Sequence, residues 1–117
     1  MSSHASETWK PPLANDPLLA EVVRRLLQVY SPVRIYLFGS TARGDATEHS
    51  DYDLMVVVPD EAPPGLLDEA SGYRALRGTG MAVDLLVWRR SDFDRQLHLK
   101  ASFPHAIVHE GKLLYGA

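Results

Sequence analysis

Val33-Arg34-Ile35-Tyr36-Leu37-Phe38 runs directly into Gly39-Ser40-Thr41-Ala42-Arg43-Gly44-Asp45, and after four intervening residues comes Ser50-Asp51-Tyr52-Asp53-Leu54. The β-branched and aromatic residues predict a strand over 33–38, and Gly39 marks a sharp exit from it. Thr41 to Gly44 is long enough for one helical turn, Asp45 to Ser50 reads as a polar loop, and Tyr52 to Val58 is a second strand that Pro59 terminates. Side chains two apart on a strand share a face, so Asp51 and Asp53 project side by side where that second strand begins.

Working outward, Asn15-Asp16-Pro17 offers a capping side chain and a proline at a first helical position. Leu18, Leu19, Val22, Val23, Leu26, Leu27 and Tyr30 then recur at helical spacing. This predicts an amphipathic helix over 17–30, stopped by Ser31-Pro32. Downstream, Pro63-Pro64-Gly65 precedes a second helix carrying Leu66, Leu67, Ala70, Tyr73, Leu76 and Arg77, which Gly78-Thr79-Gly80 ends. Met81 to Trp88 reads as a third strand with Asp84 embedded in it. Ser91 with Asp94 forms a candidate capping box for a further helix, and His105 to Glu110 reads as helix or strand, with helix the favoured reading. Gly111 breaks the chain before Leu113-Leu114-Tyr115, a terminal strand or extension. The expected class is α/β or α+β: a small mixed sheet of three to four strands flanked by helices. Residues 1–14 form a polar tail expected to be flexible, and residues 15–117 form one domain.

Composition bounds the rest. A chain of 117 residues affords one core and buries roughly two-thirds of its unfolded surface. Hydrophobic residues at 45% and charged residues at 23% are ordinary for a globular domain, which argues against disorder, collagen and coiled coil. The longest apolar runs, Leu54 to Val58 and Leu85 to Trp88, fall far short of the ~20 residues that a membrane span needs. No basic stretch followed by an apolar core opens the sequence and there is no cysteine, so the expectation is a cytoplasmic protein. A net charge of −3 with no block of like charge argues against a protein that grips long nucleic acid by phosphate neutralisation.

Two neighbouring carboxylates repel, and they are tolerable together when a hard cation lies between them, as where proteins hold magnesium against substrate phosphates. A carboxylate inside an apolar strand, as Asp84 is read here, carries a desolvation penalty and needs a cationic partner, either a metal or an arginine such as Arg34. If the third strand lies beside the second, Asp84 joins Asp51 and Asp53 in a three-carboxylate cluster able to position two magnesium ions for phosphoryl or nucleotidyl transfer. Gly39 lets the backbone approach a ligand, and Ser40 can offer its amide and hydroxyl to phosphate oxygens.

These residues resemble the DNA polymerase beta superfamily of nucleotidyltransferases, whose signature is Gly-Ser, then Asp-x-Asp, then a third carboxylate on a later strand. The combination of Gly39-Ser40-Thr41-Ala42-Arg43-Gly44 and Ser50-Asp51-Tyr52-Asp53-Leu54 is most similar to the minimal nucleotidyltransferases, small proteins paired with a HEPN-domain partner as antitoxin and toxin. The resemblance covers about residues 17–115 and implies a palm-like nucleotidyltransferase fold. It also implies catalytic, metal-binding roles for Asp51, Asp53 and Asp84, with Asp84 helping to deprotonate the attacking hydroxyl. Nucleotide-binding roles fall to Gly39, Ser40 and Arg43; physically, Arg43 can contact the triphosphate or pair with Asp45 or Asp53 as a strut. The implied chemistry is magnesium-dependent transfer of AMP from ATP to a tyrosine hydroxyl of a HEPN toxin, with a partner subunit or second copy finishing the acceptor site. Two alternatives stand beside it: a non-catalytic module that masks its partner stoichiometrically, and an enzyme modifying a small molecule of the aminoglycoside type.

Other features read as structural. His105 and His109 stand four apart, but no Glu or Cys completes a zinc set. Arg24-Arg25 and Arg89-Arg90 read as solvated, and Trp9 is either unanchored or a partner contact.

Overall fold

The computed structural model describes residues 16–39 and 52–116. Helix α1 (Pro17–Tyr30) begins and ends where the sequence predicts. The Leu19 N–H donates to Asp16 Oδ1 at 3.1 Å, Pro17 fills the first turn, and Leu19, Val22, Val23, Leu26 and Tyr30 form its buried stripe. Ser31 leaves the helix in the left-handed conformation at φ 45°, donating its N–H to Leu27 O at 3.0 Å.

Strands β1 (Arg34–Phe38), β2 (Tyr52–Val58), β3 (Val83–Arg89) and β4 (Lys112–Tyr115) form one sheet in the order β3-β2-β1-β4. β1 pairs antiparallel with β2 and with β4, while β2 and β3 run parallel. The parallel pair requires a crossover, supplied by a 3-10 turn (Pro64–Leu67) and helix α2 (Glu69–Ala75). The single helix expected from Leu66 to Arg77 is therefore divided. Asp68 takes an extended conformation at φ −89°, ψ 120°, and its side chain accepts the Ala70 N–H at 2.7 Å, starting α2 afresh.

The third strand begins two residues later than Met81. The Thr79 hydroxyl donates to Leu76 O at 2.8 Å and accepts from Met81 N–H at 3.4 Å, holding that segment in a turn. Helix α3 (Arg90–Arg95) lacks the expected Ser91–Asp94 capping box. The Ser91 N–H instead donates to Asp60 Oδ1 at 2.9 Å, and Asp94 accepts two bonds from the Arg34 guanidinium at 2.7 and 2.9 Å. Helix α4 (Phe103–Glu110) starts before His105 because Ser102 caps it, accepting the His105 N–H at 3.1 Å, with Pro104 in the first turn.

The sheet is covered on both faces. Leu54, Val56 and Val58 of β2 join Ile35, Leu37, Leu85 and Val87 under α1 and α2. Met55 and Val57 point the other way, meeting Tyr36, Phe93 and Ile107 beneath α3 and α4. Alternation with both faces apolar is what makes β2 read as a continuous hydrophobic run. Buried Tyr30 clips α2 to this core: its hydroxyl donates to Asp68 O and accepts the Gly72 N–H, both at 2.9 Å, and burial raises its pKa. At the exposed edge of the sheet, Leu85 N–H donates to the Tyr73 hydroxyl at 2.9 Å, which covers part of an otherwise open strand.

The arginine pairs are not simply solvated. Arg25 donates to Ala75 O and Arg77 O at 3.1 and 3.0 Å, fastening the end of α2, and Arg24 joins it on Glu21. Arg89 donates to Asp60 O and Ala62 O at 2.7 and 3.0 Å. Among the described residues, no helix is long and apolar enough to cross a membrane. The expected tail and Trp9 lie outside the described residues.

Candidate active site

β1 ends where β2 and β3 begin, so three strand termini meet at one end of the sheet. There Phe38 stands opposite Asp53, and Asp53 stands opposite Asp84. Residues in register on adjacent strands share a face and lie about 4.8 Å apart across the sheet. The face is the one on which Met55 and Val57 meet α3 and α4, so both carboxylates belong to the α4 side.

Asp84 is the second residue of β3 and is exposed, on the edge strand. This corrects the expectation of a carboxylate deep in an apolar strand: water relieves the desolvation cost, and no cationic partner is required to make the position tolerable. Nor does Arg34 serve it. That guanidinium is spent on Asp94 and on the Tyr36 hydroxyl, which accepts at 3.2 Å, at the opposite end of β1.

Gly39 carries two constraints at once. Its φ is +75°, a conformation that side-chain-bearing residues adopt at a cost, and a Cβ built on it would collide with the carboxylate of Asp53. The absent side chain is thus the space that the Asp53 carboxylate uses. Beyond Gly39, toward β4, a small pocket of about 170 Å³ is lined by Phe38, Gly39, Phe103, Ala106, Ile107 and Glu110, with the Phe38 and Phe103 rings edge to face at 5.5 Å.

Ser40, Arg43 and Asp51 lie outside the described residues, as do the expected turn at 41–44 and the loop at 45–50. The structure therefore places Gly39, Asp53 and Asp84 together, and among the described residues no group of three or more metal-ligating side chains is assembled. His105 and His109 stack at 3.9 Å, and each Nδ1 faces a backbone carbonyl oxygen, Leu97 O at 3.0 Å and His105 O at 2.9 Å, a structural arrangement. Sequence reasoning missed the contact that ties β2 to α1: the Tyr52 hydroxyl donates to Asp16 Oδ2 at 3.1 Å. Asp16 was legible as a helix cap, but no local pattern links it to a residue 36 positions away.

Comparison with known proteins bears on this geometry. Residues 18–109 match the nucleotidyltransferase domain family. The chain is 33% identical over 82 residues to the Methanocaldococcus jannaschii protein named "Putative protein adenylyltransferase MJ0604", a stretch covering 70% of this chain and 77% of that one. A crystal structure of a toxin-antitoxin with AMP-PNP aligns with a TM-score of 0.55 at 25% identity, over 83% of this chain and 73% of that one. A crystal structure of a "putative nucleotidyltransferase" from Sulfolobus solfataricus aligns with a TM-score of 0.51 at 29% identity, over 68% and 70% of the two chains. A match running from α1 to the last turn of α4 takes in every strand that carries the carboxylates, so the chain belongs to the nucleotidyltransferase domain family, as a transferase of the minimal type.

Proposed function

We propose that the protein transfers AMP from ATP to a hydroxyl of a partner protein, a HEPN-domain toxin, and that Asp51, Asp53 and Asp84 hold the magnesium that this reaction uses. The observation carrying the proposal is the in-register pair Asp53 and Asp84 beside the side-chain-free Gly39. These residues fit a hard divalent cation: two carboxylates in register on one face of the sheet, one of them exposed. When bound, magnesium neutralises charge on the phosphates and favours displacement of pyrophosphate.

The chain's own residues divide the remaining work. Gly39 and Ser40 cradle the β- and γ-phosphates, and Arg43 contacts the triphosphate. Asp84 takes the proton of the attacking hydroxyl, whose oxygen forms the new bond to the α-phosphorus as pyrophosphate departs. The domain doing this is residues 15–117, with residues 1–14 as a tail. The names of the relatives, a protein adenylyltransferase and a toxin-antitoxin with AMP-PNP, support this reading.

The test is to co-purify the full chain with its partner and add magnesium and ATP labelled at the α-phosphate, using Asp51→Asn/Asp53→Asn as control. Label on the partner, lost in the control, supports the reading. A control protein that still neutralises the partner's toxicity would overturn it in favour of stoichiometric masking.

A further inference from the structure

Tyr52 lies between Asp51 and Asp53, and strand alternation sends its side chain to the face opposite Asp53. On that face its hydroxyl donates to one oxygen of Asp16 at 3.1 Å, while the other oxygen of Asp16 accepts the Leu19 N–H at 3.1 Å in the first turn of α1. The Tyr52 N–H donates to Ala82 O at 2.9 Å, two residues before Asp84. One residue therefore joins the beginnings of α1, β2 and β3. Both Tyr52 and Asp16 are half-buried, which shields their bond from competing water.

Strand ends have few ladder bonds to hold them, and Asp53 is only the second residue of β2. Site carboxylates must hold their place to within about 0.5 Å to be effective. We infer that Asp16 and Tyr52 are positioning residues, a strap that fixes the start of β2 and so sets where the Asp53 carboxylate stands relative to Asp84. The inference rests on the proposed nucleotidyl-transfer reading of those carboxylates.

Two substitutions break the strap without removing the helix cap: Tyr52→Phe deletes the hydroxyl, and Asp16→Ser keeps one capping oxygen for Leu19 N–H but lacks a second for Tyr52. Tyr30→Phe, which removes a buried tyrosine's bonds away from the carboxylates, is the stability control. Calorimetric titration of the full-length proteins with ATP in excess magnesium reads the effect. Each strap variant should bind about fivefold more weakly, as expected for one lost hydrogen bond, and the double variant no more weakly than either single one. Tyr30→Phe should lower the melting temperature and leave the affinity unchanged. Wild-type affinity in both strap variants, effects that multiply in the double variant, or an equal loss in Tyr30→Phe would each overturn the inference. An Asp53→Asn protein that binds magnesium-ATP as tightly as wild type would overturn the underlying reading, and the strap's role with it.

Discussion

The Asp53 carboxylate occupies the space that a side chain on Gly39 would fill, so the turn after β1 and the start of β2 are built as one unit. The same strand end sets Asp53 opposite Asp84 across the parallel β2–β3 pair. Two acids on neighbouring strands and a glycine at φ +75° are each tolerable alone; here they stand together at one end of the sheet.

Gly39→Ala tests that unit directly. A left-handed non-glycine residue costs about 1–3 kcal/mol, and here the methyl would also push the Asp53 carboxylate aside. Nucleotidyl transfer should fall about a hundredfold, the scale of a 1 Å misplacement of a reacting group, as measured by labelled-AMP incorporation beside a thermal melt.

Gly72 and Gly65 should respond in opposite ways. A Cβ on Gly72 would lie 2.5 Å from Leu85 Cδ1 and 2.8 Å from the Tyr30 hydroxyl, whereas nothing lies within 4 Å of one on Gly65. Gly72→Ala should cost about 1–3 kcal/mol in denaturant unfolding, and Gly65→Ala should be neutral to slightly stabilising.

Arg34→Lys should lower stability by about 1 kcal/mol, because an ammonium cannot reproduce the two-pronged bond to Asp94 while also bonding the Tyr36 hydroxyl. Its effect on transfer should be nil, since Arg34 lies at the opposite end of β1 from Phe38. A denaturation midpoint measured with a transfer assay separates the two.

Acid should act partly through Asp60. The Ser91 backbone N–H, and then its hydroxyl, hold the Asp60 carboxyl below the ordinary carboxylate range. A folded pKa below the unfolded one gives stability that is complete above the unfolded value and lost as pH falls through the folded value. Asp60→Asn should therefore be less stable than wild type at pH 7, with the difference vanishing at strongly acid pH, as read from melting temperatures across the acid range. Glu21, lowered chiefly by its bond to Arg25, contributes a slope of the same sign that remains in the variant.

What the sequence disclosed depended on how local the cause was. Helix α1 was legible to its last residue because the Asp16 cap, Pro17, the apolar spacing and the Ser31 exit all act within a turn of one another. β2 was equally legible, bounded by a polar loop and Pro59. The start of β3 was not, since Met81 and Ala82 extend the apolar run while a Thr79 hydroxyl two residues earlier holds the turn. Ser91 and Asp94 look like a capping box, yet their partners, Asp60 and Arg34, are 31 and 60 residues away. The same holds at the site. Asp51-Tyr52-Asp53 stood out by its spacing, and the placement of Asp84 hung on strand order, which no single stretch of sequence encodes. Its exposure followed from where β3 begins and was misjudged for that reason.

The most direct test of the account is transfer of α-labelled AMP to the co-purified partner by Asp84→Asn protein. Asp84 is exposed and the substitution nearly isosteric, so the melting temperature should not change. The account predicts a loss of about a hundredfold or more, the scale of a positioned acid–base group. Transfer within a few-fold of wild type by a folded Asp84→Asn protein would contradict it.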